Sequence, residues 1–146
     1  MNVNPSKLID KDINPTYMFT IDQISAAHGK VKSGSDFPRY IQDVKELGVV
    51  RYETFVADGH TVYWAASGDS LKSAEKYVRL AIAQDSNADA LVGALKTHQR
   101  GETDYMTFCK QAADAGIEKW VVDVTEMTCT YYTVKGKKVL REVIPG

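Results

Sequence analysis

Apolar and polar positions along this chain change period in a set order, helical twice and then extended, and that order is written twice. From Thr20 the spacing is helical. Thr20 and Gln23 form a capping box, Phe19 and Ile24 a hydrophobic staple, and Ile24, Ala27, His28 and Val31 share one face until Ser33-Gly34-Ser35. A second helix is predicted from about Asp36 to Leu47. Phe37, Tyr40, Ile41, Val44 and Leu47 are its stripe, Pro38 sits in its first turn, and Gly48 stops it. The period then falls to two. Val49 to Val56 and Thr61 to Ala65 read as strands joined at Asp58-Gly59, and Tyr77 to Ala83 as a third, with a helix over Leu71 to Tyr77 as the alternative.

The second set opens with Ser86 and Asp89 as a capping pair before Ala90, Leu91, Ala94, Leu95 and His98. Tyr105, Phe108, Cys109 and Ala112 form the next stripe, and Gly116 ends it. Trp120 to Val124, Thr128 to Val134 and Val139 to Ile144 are extended, the last two joined through Lys135-Gly136-Lys137. Sliding Asp36 to Trp64 by 68 positions onto Asp104 to Tyr132 needs no gap. Tyr40 then meets Phe108, Ile41 Cys109, Gly48 Gly116, Tyr52 Trp120, Tyr63 Tyr131 and Trp64 Tyr132.

Helix, helix, strand, strand, strand, repeated, makes an α+β fold with mainly antiparallel sheet and a pseudo-twofold axis. One such unit has one apolar sheet face and too little core alone, so packing the halves about that axis is expected to bury the apolar face of each. The domain is read as residues 18–146, with repeats at about 19–84 and 86–145. Residues 1–17, interrupted by Pro5 and Pro15, read as a loosely attached leader, with Met18 as an alternative start.

With 146 residues, 44% apolar and 25% charged, the composition is that of a soluble single domain. The formal net charge is −1 and the Lys and Arg residues are scattered, so no nucleic-acid partner is expected. No apolar run approaches membrane-spanning length, and the polar N-terminus lacks a secretory core, which makes cytoplasm the expected compartment. Two cysteines, Cys109 and Cys129, make no disulfide framework.

Candidate chemistry is sparse. Asp58-Gly59-His60 is the best local pair, an Asp and a His beside a hairpin glycine, although Asp-Gly is also what a tight turn requires. Asp36 and Asp104 are repeat equivalents at helix starts, where capping accounts for both. Cys109 falls on an apolar helix stripe, and neither cysteine has a base nearby in sequence. His28 and His98 read as core-edge residues. No HxH, HExxH or CxxC spacing and no phosphate-binding glycine loop occurs, so neither metal nor cofactor is expected. Tyr63, Trp64, Tyr131 and Tyr132 occupy equivalent places in the two copies. With His60 and Asp58 they are the expected lining of a ligand groove between the halves.

Three strings carry a family resemblance: Val31 to Pro38; Tyr52 to Thr61; and Lys119 to Asp123 with Met127 to Tyr132. Through them Phe19 to Pro145 resembles a family of bacterial proteins of unknown function, some copies of which lie in prophages and are labelled "phage envelope protein". The resemblance implies no activity, cofactor or catalytic residue. The function expected is therefore a small-molecule or protein binding or accessory domain, with a homodimer among its partners. An enzyme using Asp58 and His60 as acid–base groups and a phage-associated structural protein are the alternatives.

Overall fold

The computed structural model describes residues 18–32 and 34–145; the leader expected at 1–17 lies outside them. Helix α1 (Ile21–His28) begins as its sequence dictates. Thr20 Oγ1 accepts the Gln23 N–H at 3.1 Å, and Gln23 Oε1 accepts the Thr20 N–H at 2.8 Å. A 3-10 turn at Gly34–Asp36 leads into α2 (Phe37–Leu47), which buries Tyr40, Ile41 and Val44 and stops at Gly48. Helix α3 (Ala88–Gln99) buries Leu91, Ala94 and Leu95, and α4 (Tyr105–Asp114) buries Phe108, Cys109, Ala112 and Ala113.

Two caps differ from the sequence reading. Asp104 caps α4 as expected, its Oδ1 accepting the Thr107 N–H at 2.7 Å. Asp36 makes no side-chain cap to α2; the 3-10 turn holds it in helical geometry, and its Oδ2 accepts the Lys32 N–H at 2.8 Å. The α3 cap is Asn87, not Ser86. Asn87 holds the extended backbone of a capping residue, and its Oδ1 accepts the Ala90 N–H at 3.0 Å.

Among the described residues six strands, β1 (Val49–Phe55), β2 (Thr61–Ala65), β3 (Ser70–Lys72), β4 (Ile117–Asp123), β5 (Thr128–Thr133) and β6 (Lys138–Val143), form one sheet. All pairings are antiparallel and the order is β3-β2-β1-β4-β5-β6. Each half is thus two helices and a three-stranded meander, as the repeat predicts. The register carries the repeat further. In the central β1–β4 pair Glu53 faces Val121, its own equivalent 68 positions on. The Tyr52–Val122 pair has its image in Trp120–Thr54 across that point. Arg51–Trp64 and Tyr52–Tyr63 on β1–β2 reappear as Lys119–Tyr132 and Trp120–Tyr131 on β4–β5. Even the irregularity recurs, between Val49 and Arg51 and between Ile117 and Lys119.

The halves therefore join edge to edge through β1 and β4, not face to face. The described helices all lie on one side of the sheet. Tyr40 of α2 meets Tyr52 at 6.3 Å between ring centroids, and Phe108 of α4 meets Trp120 at 5.7 Å. Tyr52 and Trp120 both point to that side, into a core completed by Ile41, Val44, Leu91, Ile117 and Val122. The apolar sheet face of each half is buried in that one core, and among the described residues no helix covers the opposite side.

The third strand of the first half also moves. β3 is the short Ser70–Lys72 edge, and residues 77–83 are irregular. Tyr77, the first residue of the expected third strand, is instead anchored by its hydroxyl, which donates to Val56 O at 2.6 Å. The main chain around it bonds turns and helix ends: Lys76 N–H to Asp58 O, Leu80 N–H to Ala57 O and Ala83 N–H to Ala113 O. This connector strides from the β1–β2 turn to the α4–β4 junction. It presses on a glycine at each end. A Cβ on Gly59 would lie 2.6 Å from Tyr77 Cε2, and one on Gly116 2.6 Å from Asp85 O.

Candidate functional site

Strand alternation sorts the aromatic residues of the repeat onto two faces. Tyr63 and Tyr131 enter the helix-covered core and are buried. Trp64 and Tyr132, next to them in sequence, point to the side that no described helix covers. A single groove lined by all four does not form.

On the uncovered face the repeat builds the same contact twice. The Arg51 guanidinium lies over the Trp64 ring, 4.8 Å from its centroid. Lys119 Nζ lies 5.7 Å from the Tyr132 centroid. Arg51 and Lys119 are repeat equivalents, as are Trp64 and Tyr132, so two cation–aromatic pairs flank the pseudo-twofold axis. At the axis, Glu53 Oε2 accepts a hydrogen bond from Lys119 Nζ at 3.0 Å. A shallow depression of about 410 Å³ lies there, lined by Arg51, Glu53, Lys119, Val121, Tyr132 and Gly136. The Trp64 indole N–H is buried and has no acceptor among the described residues.

Asp58 and His60 stand at the end of this face. The turn carrying them is wider than the two-residue loop predicted: it runs from Val56 to His60, closed by Phe55 N–H to His60 O at 2.9 Å and Gly59 N–H to Phe55 O at 2.8 Å. That width turns the Asp58 side chain inward, to 9% exposure. Its Oδ1 lies 2.6 Å from His60 Nδ1 and accepts the His60 backbone N–H at 3.0 Å. Burial by itself pushes the Asp58 carboxyl up. The two His60 hydrogen bonds and the charges of His60 and Arg79 outweigh it and hold the group below its ordinary value. Asp58 is therefore an anion at neutral pH, and of the two His60 ring nitrogens it is Nδ1 that carries the hydrogen donated to it. Nε2 is left for any other partner. The imidazole stacks on Phe55, 4.5 Å between centroids and 6° from parallel, and Lys119 Nζ lies 5.7 Å from that same ring. Phe55 thus links the Asp58–His60 pair to the depression.

Other titratable groups are withdrawn from chemistry. Burial pushes the Cys129 thiol up to about 12 and raises Cys109, and both cysteines are buried and unpaired. Burial likewise raises the phenols of Tyr63 and Tyr131. His98 is tied to Thr103 at 3.0 Å and stacked on Phe108 at 4.9 Å, and His28 sits edge-on to Tyr40 at 5.4 Å. Among the described residues, no three His, Cys, Asp or Glu side chains gather as a metal site would need. No described helix is long and apolar enough to cross a membrane.

Of the six residues expected at a site, Tyr132 lines the depression, Trp64 sits beside it, and Asp58 and His60 reach it through Phe55. Tyr63 and Tyr131 are core. Arg51, Glu53, Phe55 and Lys119 were missed. Alternation within each strand combined with hairpin register was the signal needed: Trp64 pairs with Arg51 and Tyr132 with Lys119 across their hairpins.

The fold and face define a duplicated α+β protein with one open, cation-and-aromatic sheet surface. The chain belongs to the family described as "Protein of unknown function (DUF1398)", whose model matches residues 25–143. That description names no activity and no virion role. The uncharacterized protein Mb2035 of Mycobacterium bovis (strain ATCC BAA-935 / AF2122/97) is 44% identical over 43 residues, 30% of this chain and 26% of the relative. Rv2012 of Mycobacterium tuberculosis (strain ATCC 25618 / H37Rv), also uncharacterized, matches with the same identity and coverage. The match takes in about a quarter of the length of these relatives.

Proposed function

We propose that this chain is a cytoplasmic binding or accessory protein, and that the uncovered face of its sheet receives an anionic partner. The paired Arg51–Trp64 and Lys119–Tyr132 contacts carry this reading. Arg51 is exposed and Lys119 half-buried, and each is held over a ring that no described helix covers. Such an arrangement presents positive charge and flat apolar surface together, the usual make-up of a site for anions bearing rings. ATP and heparin are suitable probes, one carrying a ring and one without. Isothermal titration should show binding of at least one. The double variant Arg51→Ala with Lys119→Ala should weaken it about tenfold or more while leaving the thermal midpoint within a few degrees. Absence of heat with both probes would end this reading. A homodimer would seal the same face, and light scattering that returns a dimer with the depression closed to ATP would assign the face to self-association.

The Asp58–His60 pair favours a second reading, an enzyme with His60 Nε2 as general base, because a buried carboxylate 2.6 Å from Nδ1 fixes the ring and its tautomer. Asp58→Ala tests both parts. It should cost on the order of 2 kcal/mol at pH 7, where two bonds to a buried anion are lost. The sign follows from the depressed carboxyl. Its stabilisation is complete above its unfolded value and is lost as pH falls through the lower folded value. Wild type and variant should therefore converge in acid, below about pH 4. Turnover of p-nitrophenyl acetate above buffer, lost in His60→Ala and reduced in Asp58→Ala, would support the enzyme; rates equal to buffer for all three proteins would remove it.

A further inference from the structure

The chain's cations are scattered in sequence and gathered in space. Reading faces from the register places Arg51, Lys72, Lys119, Lys138 and Arg141 on the uncovered side, opposite Asp123, Trp64, Tyr132 or Thr130, or, for Lys72, opposite Val62. Lys135 and Lys137 flank Gly136, which itself lines the depression. Against these stand Glu53, bonded to Lys119, Asp123, whose Oδ1 accepts the Glu126 N–H, and Glu126 at the rim, 4.0 Å from Arg141. A protein of net charge −1 thus concentrates an excess of positive charge on one sheet face. The expectation of no nucleic-acid partner rested on the linear distribution of Lys and Arg, and the fold changes that distribution.

We infer that this face binds single-stranded nucleic acid. The inference rests on the anion-binding reading above and names the partner. Three observations favour an unpaired strand. The rings of Trp64, Tyr132 and Phe55 are interleaved with cations on the flat of the sheet, and base stacking on aromatic platforms beside backbone-tracking cations is how single strands are held without sequence readout. Trp64 and Tyr132 lie on β2 and β5, about 14 Å apart across the strands at roughly 4.8 Å per spacing, which is room for several nucleotides rather than one. The face is shallow, with no described helix projecting from it to enter a major groove, so a duplex would offer it phosphates but no bases. Each ring lies under a cation. A phosphate that draws Arg51 or Lys119 toward itself uncovers the stacking surface beneath.

The test is fluorescence anisotropy on the full chain with a fluorescein-labelled single-stranded DNA of about 12 nucleotides, its RNA counterpart, the corresponding duplex, and heparin as competitor. The expected result is single-strand affinity at least tenfold above that of the duplex, quenching of Trp64 fluorescence, and an affinity that falls as salt rises. Trp64→Ala with Tyr132→Ala should weaken single-strand binding about tenfold or more and leave heparin binding within about twofold. Single strand no tighter than duplex, or equal loss of heparin and single strand in the ring variant, overturns the inference and leaves the anion-binding reading standing. No binding of DNA, RNA, heparin or ATP overturns both. The comparison of single strand with duplex uses the unaltered protein, so a variant that misfolds does not blunt it.

Discussion

Gly116→Ala should destabilise the protein by about 3 kcal/mol, lowering the thermal midpoint by roughly 10 °C, as read by circular dichroism. Two costs add. Gly116 has φ +82, where a Cβ costs about 1 kcal/mol. The new Cβ would also stand 2.6 Å from Asp85 O and 2.8 Å from Ser86 Cα, which are backbone atoms and cannot swing aside as a side-chain tip can. The connector at this point is held by Asn87 N–H to Ala115 O at 2.9 Å, so relieving the contact strains the entry to α3. The repeat supplies its own control. Gly48, the equivalent position, has φ +103 with nothing nearer than Phe19 Cδ2 at 4.0 Å. Gly48→Ala should therefore show the backbone cost alone, about 1 kcal/mol. Equal losses at the two positions would mean that the connector does not press on Gly116.

That difference between equivalent glycines shows where sequence reading ends. Both glycines were legible as helix stops, because helix period and left-handed termination are local. So were the Thr20–Gln23 box, the Asp104 cap and the Lys135-Gly136-Lys137 turn, each settled within a few residues. The connector was not. Tyr77 and Val78 have the composition of a strand, and only the position of the Asp58 turn in space decides that Tyr77 packs on Gly59 while Val78 stays 89% exposed. The repeat itself was legible as an offset of 68 residues, and the sheet adds that Glu53 pairs with its own equivalent, Val121. How the halves meet was not, since edge-to-edge joining depends on which strand of each meander is left free. The site suffered from a simpler omission. Tyr63-Trp64 and Tyr131-Tyr132 are adjacent residues on strands, so each pair must divide between the faces. Treating both members as one lining obscured Arg51 and Lys119, which carry the charge on the side that Trp64 and Tyr132 share.

The two tryptophans put that division to a direct test, because they stand on opposite sides of one sheet. Trp120 is 7% exposed and touches Phe108, Tyr131 and Tyr105, at 5.7, 6.0 and 6.5 Å between centroids. Its equivalent, Tyr52, meets Tyr40 and Tyr63 in the same way at 6.3 and 5.6 Å. Trp120→Ala would empty the centre of the second half's core, where surrounding rings cannot close the space, and should cost about 3–5 kcal/mol in urea denaturation. Trp64 is half-buried, packed mainly under Arg51 on the uncovered side. Trp64→Ala should cost no more than about 1 kcal/mol, since water and the Arg51 stem refill the site. Function should invert the ranking. Trp64→Ala should lose affinity for the face's partner while remaining folded. Trp120→Ala, at temperatures where it is still folded, should retain that affinity, because no part of Trp120 reaches the uncovered face. A Trp64 variant as unstable as the Trp120 variant would show that the uncovered side is core after all, closed by a contact with another copy or another chain. The reading of that side as a binding surface would then give way to one of assembly.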